Sequence, residues 1–478
     1  MDIVDPSGLA AAQAIAVVSR AYYRVANRPQ VSGSLRWSLG GDTSPLRIAG
    51  PDNQEQVALA SGHRSEQLGG TTLTATFSPA DGGTPVTASI ALTVFSAEIH
   101  DAGQADTPLL DLGVGSRARY LPVVLPDIGA FDGSWDPGSN GVIGLVSVGP
   151  GGVAEVAGLA ASAVGRDGRL SLSARVGEQE AKATLPIGVF AVRIHLMAQA
   201  LDDLSPTGSL MGVGQTRIAQ AEVLPADLAP ASLLAWQWSV SDTLQALGAV
   251  NEGTVSFVAN APQAQAQVQV TLSFGRSSTT STQALTVYGA TITAEDDRAA
   301  PDALAVGAAG TYKVVIDPPA PEAEVLWTGS DRMTLREEGH RVQVRGVQAS
   351  DAAGADGLLA DVRIGEASTR ALMPLTIYSS TICAADGGPA PTVLPVHGRQ
   401  RFSVVTEPAL WDCTFAWQVV PDKAALTGPT TERQVDVVTL RASDTAGDVR
   451  LGVSVVPRDV PHTAATAELR LTIGTLLR

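Results

Sequence analysis

Few residues in this 478-residue chain could do chemistry, and they are scattered. His100 and His195 occupy equivalent places, each five residues after a phenylalanine, but Thr293 and Cys383 stand at the later equivalents. That substitution reads as an exposed strand position rather than a metal ligand. Acidic residues gather nearby: Asp101 and Asp106, Asp202 and Asp203, Glu295 with Asp296 and Asp297, and Asp386. Carboxylate oxygens there would suit Ca²⁺. Their offsets vary, however, and Asp is a common turn residue; solvated turns are therefore expected, no cofactor is assigned, and Ca²⁺ at the domain junctions is the secondary reading. Two cysteines, Cys383 and Cys413, cannot make a disulfide scaffold or a Cys-rich zinc site. If Ile382 and Trp417 point inward, alternation sends Cys383 outward and Cys413 inward, which disfavours a bond between them. Gly113-Val114-Gly115 and Gly212-Val213-Gly214 look like fragments of a phosphate loop, yet neither opens a helix, and both are read as turn glycines. Trp236 and Trp411 are read as edge packing ahead of a surface contact for carbohydrate or a partner. There is no Gly-x-Ser-x-Gly elbow, no His-Glu-x-x-His and no His/Cys/Asp cluster with ligand spacing. The expectation is a non-enzyme with no catalytic, cofactor-binding or metal residues.

Composition narrows the partners. A formal charge of −16 and a pI near 4.8 exclude the basic footprint that nucleic-acid binding requires. The 32 basic residues include only three lysines, Lys182, Lys313 and Lys423. Charged residues make up 17%, low for a string of small domains, so either small neutral residues cover the surface or part of it is buried in a larger assembly. The start, Met1-Asp2-Ile3-Val4-Asp5, lacks a basic n-region, so no cleavable signal peptide is expected. No apolar run is long enough to span a bilayer, and membrane insertion is not expected.

The elements that carry these residues repeat. Val94-Phe95 is followed by Ile99, Val189-Phe190 by Ile194, Val287-Tyr288 by Ile292 and Ile377-Tyr378 by Ile382; successive aromatics lie 95, 98 and 90 residues apart. With no Gly/Pro/Ser-rich linker between them, the last strand of one domain is expected to run straight into the first strand of the next. Five domains of ordinary size follow, at 1–95, 96–190, 191–288, 289–378 and 379–478. Within each, an apolar-x-Val triplet precedes a turn, with Gly115, Gly214, Gly307 and Gly398 as its punctuation. An aromatic comes next (Tyr23, Tyr120, Tyr312, Phe402, but Ala219 in the third), and then a proline (Pro29, Pro126, Pro225, Pro318, Pro408). One tryptophan per repeat, Trp37, Trp135, Trp238, Trp327 and Trp417, has the size to fill the space between two sheets and is assigned to the core. The closing strand reads Leu-Thr-Val or Leu-Thr-Ile in four of the five repeats. Counting back from Trp37 places Ile3 in the first strand of a complete domain, which overrides the local resemblance of Asp5-Pro6 and the following alanines to a capped helix.

The fold class expected is therefore all-β: five tandem antiparallel β-sandwiches in a linear array, a rod on the order of 200 Å at ~3.3 Å per strand residue. Phe95, Phe190, Tyr288 and Tyr378 are assigned to interdomain packing. The corresponding position in the last repeat is Gly474, with no successor to pack against. The Leu-x-Val-Gly strand, the following proline, the strands Trp238-Ser239-Val240-Ser241-Asp242 and Trp327-Thr328-Gly329-Ser330-Asp331, and the closing Leu-Thr-Val together resemble the bacterial immunoglobulin-like domains. The group 2 type of invasin- and intimin-like surface proteins and of phage structural proteins is the most similar. The second repeat departs from that pattern at Trp135-Asp136-Pro137, and the Gly-x-Val-Thr-Ala segment is missing. The resemblance implies that the five tandem antiparallel β-sandwiches are Ig-like, and that their role is structure, spacing or adhesion. The expected role is a fibre or decoration component of a phage or other bacterial particle, extracellular or particle-associated, with protein partners and homo-oligomerisation open. An invasin-like adhesin is the alternative, and a carbohydrate-binding array with a carbohydrate receptor the third reading.

Overall fold

The computed structural model describes residues 1–103, 108–198, 208–227, 231–296, 300–410, 412–458 and 463–474. These residues are almost entirely strand and turn. The first sandwich contains β1 (Asp2–Val4), β2 (Ala14–Ala16), β3 (Arg20–Ala26), β4 (Gly33–Gly41), β5 (Leu46–Ile48), β6 (Gln56–Ser61), β7 (Thr71–Pro79) and the first part of β8 (Val86–Asp101). One sheet has the order β1-β3-β6-β5; the other holds β4, β7 and β8, with β2 running parallel to β8. Two facing sheets connected in this order are the immunoglobulin topology. Period-two alternation makes the core. In β7, Leu73, Ala75 and Phe77 are fully buried, while Thr72, Thr74 and Thr76 on the opposite face are partly exposed. The residues after Val4 make a turn at 5–8, in which the Asp5 carboxylate accepts hydrogen bonds from Ser7 Oγ and Leu9 N, so no helix forms there.

Strand β8 belongs to two sandwiches. Up to Phe95 it pairs with β7 and β2; from Ser96 onward it pairs with Arg117–Leu125 of the next sandwich. The same exchange of partners occurs in Gln179–Ala198 between Phe190 and Ala191, in Ser277–Ala294 between Tyr288 and Gly289, and in Ala367–Ala384 between Tyr378 and Ser379. Four sheets therefore run through the joints, and a four-stranded sheet stands at each end of the series.

Each sandwich is closed by its tryptophan. The indole nitrogens of Trp37, Trp135, Trp238, Trp327 and Trp417 donate to the carbonyls of Gln54, Gly152, Glu252, Gly339 and Glu432 at 2.8–3.0 Å. Burial of so large a ring thus leaves no unsatisfied donor. Four of the five are buried and Trp135, on the short strand Asp132–Asp136, is half-buried. The hydroxyls of Tyr23, Tyr120 and Tyr312 donate to carbonyls 11 residues upstream, at Ala12, Leu109 and Pro301. Burial pushes all three hydroxyls up, Tyr312 to about 12.

Two readings of the sequence are corrected. The tight turn after each apolar-x-Val start has positive φ at Gly115, Gly214 and Gly307, but in the last sandwich the residue in that conformation is His397 (φ 60°), not Gly398, and in the first it is Val18 (φ 57°). Cys383 is not exposed: the turn after its strand brings Pro389 back against it and it is buried, whereas Cys413 is half-buried. The turn covers the face that alternation alone would leave open.

Candidate functional site: the interdomain joints

Three further contacts surround the strand shared across each joint. Beside each joint aromatic, across the parallel pair, stands a small residue: Ala16 beside Phe95, Gly113 beside Phe190, Gly212 beside Tyr288 and Ala305 beside Tyr378. The pair at the end of the series is Pro395 and Gly474. The small residue leaves room for the turn that connects the last two strands of the following sandwich. A Cβ built on Gly113 would stand 2.1 Å from the carbonyl oxygen of Ser278, and one on Gly212 would stand 1.8 Å from that of Ser368. Both glycines lie in short strands, so they serve to admit a neighbouring backbone; the turn is made two residues later by Gly115 and Gly214.

The second contact is the polar seam along that turn. At the first joint, the Gln179 carboxamide oxygen accepts from Ser19 Oγ (3.1 Å) and Ala16 N (3.4 Å). The second joint carries four such contacts among the described residues. Gly113 N donates to Ser277 Oγ (2.8 Å), Thr279 Oγ1 donates to the Val114 carbonyl (3.1 Å), Ser116 Oγ donates to the Ser278 carbonyl, and the Arg276 guanidinium meets Asp101 at 2.6 Å. At the third, Gly208 N donates to the Glu366 carboxylate (2.7 Å) and the Gln215 amide to Ser368 Oγ (2.8 Å). Buried Arg217 reaches the carbonyls of Leu210 and Glu366 at 3.4 and 3.5 Å. At the fourth, the Tyr378 hydroxyl donates to the Thr463 carbonyl (2.5 Å), and Thr463 Oγ1 donates back to Ala303 O (3.3 Å). Burial raises the Tyr378 hydroxyl, keeping it a neutral donor.

The third contact is apolar. Phe95, Phe190 and Tyr378 are fully buried, and Tyr288 is half-buried. Phe95 packs with the core of the second sandwich, together with Ala16 of the first. Phe190 meets Phe274, at the end of the strand leading into the docking turn, edge to face at 6.1 Å between ring centres. Tyr378 forms its own cluster with Ala303, Ala305 and Ala465.

A feature not noticed in the sequence pins the residue just before the joint. Ser65, Ser162, Ser350 and Ser443 each accept the amide of a residue 27–30 positions onward (Val94, Val189, Ile377, Ile473), and each donates its own amide to the carbonyl of that same residue. The third sandwich dispenses with the serine because its strand Gln263–Phe274 pairs directly as far as Val287. A serine 27–30 residues before the valine or isoleucine of the closing strand was the available signal.

Of the acidic residues weighed for calcium, Asp106, Asp202, Asp203 and Asp297 lie outside the described residues. Asp101 is held by Arg276, Glu295 lies 3.4 Å from Arg341, and Asp386 accepts from Gly388 N within its own turn. Among the described residues no three His, Cys, Asp or Glu side chains converge on a metal position. His195 is exposed and bonded to Glu222 (2.9 Å), whereas His100, expected to be exposed as well, is half-buried and bonded to Glu98 (3.0 Å). Trp411 lies outside the described residues.

No family model and no curated protein sequence matches the chain. Solved structures that it resembles are tandem immunoglobulin arrays. The N-terminal eight Ig domains of the Down syndrome cell adhesion molecule DSCAM are 12% identical, with 96% of this chain and 67% of that one covered and a TM-score of 0.22. Ig domains 1–5 of Sidekick-1 are 10% identical, with 99% of both chains covered and a TM-score of 0.17. The three N-terminal domains of the outer capsid protein Hoc of bacteriophage RB49 are 10% identical, with 60% and 99% covered and a TM-score of 0.25. Scores this low transfer nothing about role, and the Ig-like description rests on the strand order of the chain itself.

Proposed function

We infer that the chain is a non-enzymatic spacer rod, a structural or adhesive array whose joints resist bending. The observation that carries this reading is the strand that leaves one sandwich and enters the next without a break, four times over, with the following sandwich's turn seated beside it. A hinge between β-domains needs a linker whose backbone can rotate; here the backbone at each joint is committed to sheet hydrogen bonds on both sides. The bacterial group 2 Ig-like domains are the family we assign on the sequence pattern, and a fibre or decoration component of a phage or other bacterial particle is the assembly the reading favours. A charged fraction of only 17% supports it, because a laterally packed rod loses less solvation than a highly charged one.

Fractionation of the native source with electron microscopy tests the assignment. The protein is expected in purified particles; recovery in the outer-membrane or culture fraction without particles rejects the particle reading in favour of an adhesin. Solution scattering of the purified chain tests the rod itself: a pair-distance distribution typical of a freely jointed chain is incompatible with it.

A further inference from the structure

Five of the six tryptophans among the described residues give their indole N–H to a backbone carbonyl, whereas Trp236 has no such partner among them. Its register equivalents, two residues before the core tryptophan, are Leu35, Gly133, Val325 and Phe415, none of which carries a polar group in the side chain. Half-buried Trp236 lines an open cavity of about 590 Å³ on the third sandwich, within the ~300–1,000 Å³ of small-ligand sites. Leu234 and Met197 add apolar wall, and His195, Glu222 and Gln220 supply the polar groups, His195 Nε2 lying 2.9 Å from the Glu222 carboxylate.

We propose that this pocket binds a neutral sugar chain. An indole and a thioether offer flat, polarisable surface to the C–H faces of a pyranose ring. The indole N–H donates, Glu222 accepts, and Gln220 and His195 do both, a mixture suited to hydroxyls that themselves donate and accept. Glu222 on the rim of a chain carrying −16 disfavours anionic sugars. A proline-rich peptide could use the aromatic wall but would leave most of these polar groups without partners, a cost that favours the sugar. The proposal is independent of the rod: a stiff or a flexible array could carry the pocket.

The test is NMR of the full chain, with the Trp236 indole signal identified by its loss in Trp236→Phe. The probes are cellotetraose, maltotetraose and chitotetraose. One of them is expected to shift that signal saturably in the millimolar range or below, leaving the other indoles in place. Calorimetry with the same sugar should show affinity reduced about threefold to tenfold by Trp236→Phe, which keeps a packing ring but removes the donor, and similarly by Glu222→Gln. An unmoved Trp236 signal with all three sugars overturns the proposal. So does a shift produced by a proline-rich decapeptide and by no sugar, or unchanged affinity in both variants.

Discussion

The second and fourth joints solve the same problem with different chemistry. Between the second and third sandwiches the contact is close and polar: Gly113 admits the backbone of Ser278, serine and threonine hydroxyls stitch the seam, and an Arg276–Asp101 ion pair closes it. Between the fourth and fifth, Ala305 replaces the glycine and the fully buried ring of Tyr378 fills the space, its hydroxyl tied to Thr463. A glycine joint gains from proximity of main chains and tolerates no added atom. An aromatic joint gains from buried area and depends on one large side chain. The contrast shows that the repeated architecture specifies where the joint is, while its strength is set locally by two or three residues.

The largest effect separating the two is expected from Tyr378→Ala. Truncating a fully buried aromatic should cost about 3–5 kcal/mol, read as lost amide protection in Ala465–Gly474 by hydrogen exchange, with the third sandwich unaffected. Tyr288→Ala, at a half-buried ring, should cost less; equal losses would dissolve the distinction. Gly113→Val comes next. Its side chain meets a backbone carbonyl that cannot rotate away, so about 1–3 kcal/mol of overpacking should appear as faster exchange at residues 277–279 and a broader scattering envelope. Unchanged exchange there would mean that the turn does not dock in solution. Tyr378→Phe keeps the ring and removes one hydrogen bond, for about 0.5–1.5 kcal/mol by the same exchange measurement. The smallest effect is electrostatic. Arg276 is 45% exposed, so Arg276→Gln should cost at most about 1 kcal/mol, a difference that shrinks as salt is raised towards 1 M while the fourth joint stays indifferent to salt. Salt sensitivity at the fourth joint instead would reverse the assignment of polar and apolar character.

Much of the fold is legible in the residues. Strand alternation such as Leu73-Thr74-Ala75-Thr76-Phe77 needs only neighbours in sequence, and one tryptophan per repeat marks a core wherever the chain places it. Gly113 and Gly212 are not legible in the same way. Each stands two residues before a true turn glycine and looks like part of the same turn; only the carbonyl of Ser278 or Ser368, more than 150 residues onward, shows that the missing Cβ makes room for another sandwich. Cys383 misleads for a related reason, since the cover over it comes from a turn and not from the strand that carries it. The serine that pins the closing strand is visible only once its partner's position is known.

The sequence by itself determined the all-β character, the repeat and the order of strands, because these follow from a period of two within each strand and a period of roughly ninety-five residues along the chain, both carried by residue types alone. Only the tertiary structure decided how each joint is held. Whether a glycine bends its own chain or admits another, and whether an aromatic fills a pole or faces water, depends on atoms brought close by folding and far apart in the chain, and no local pattern encodes that distance.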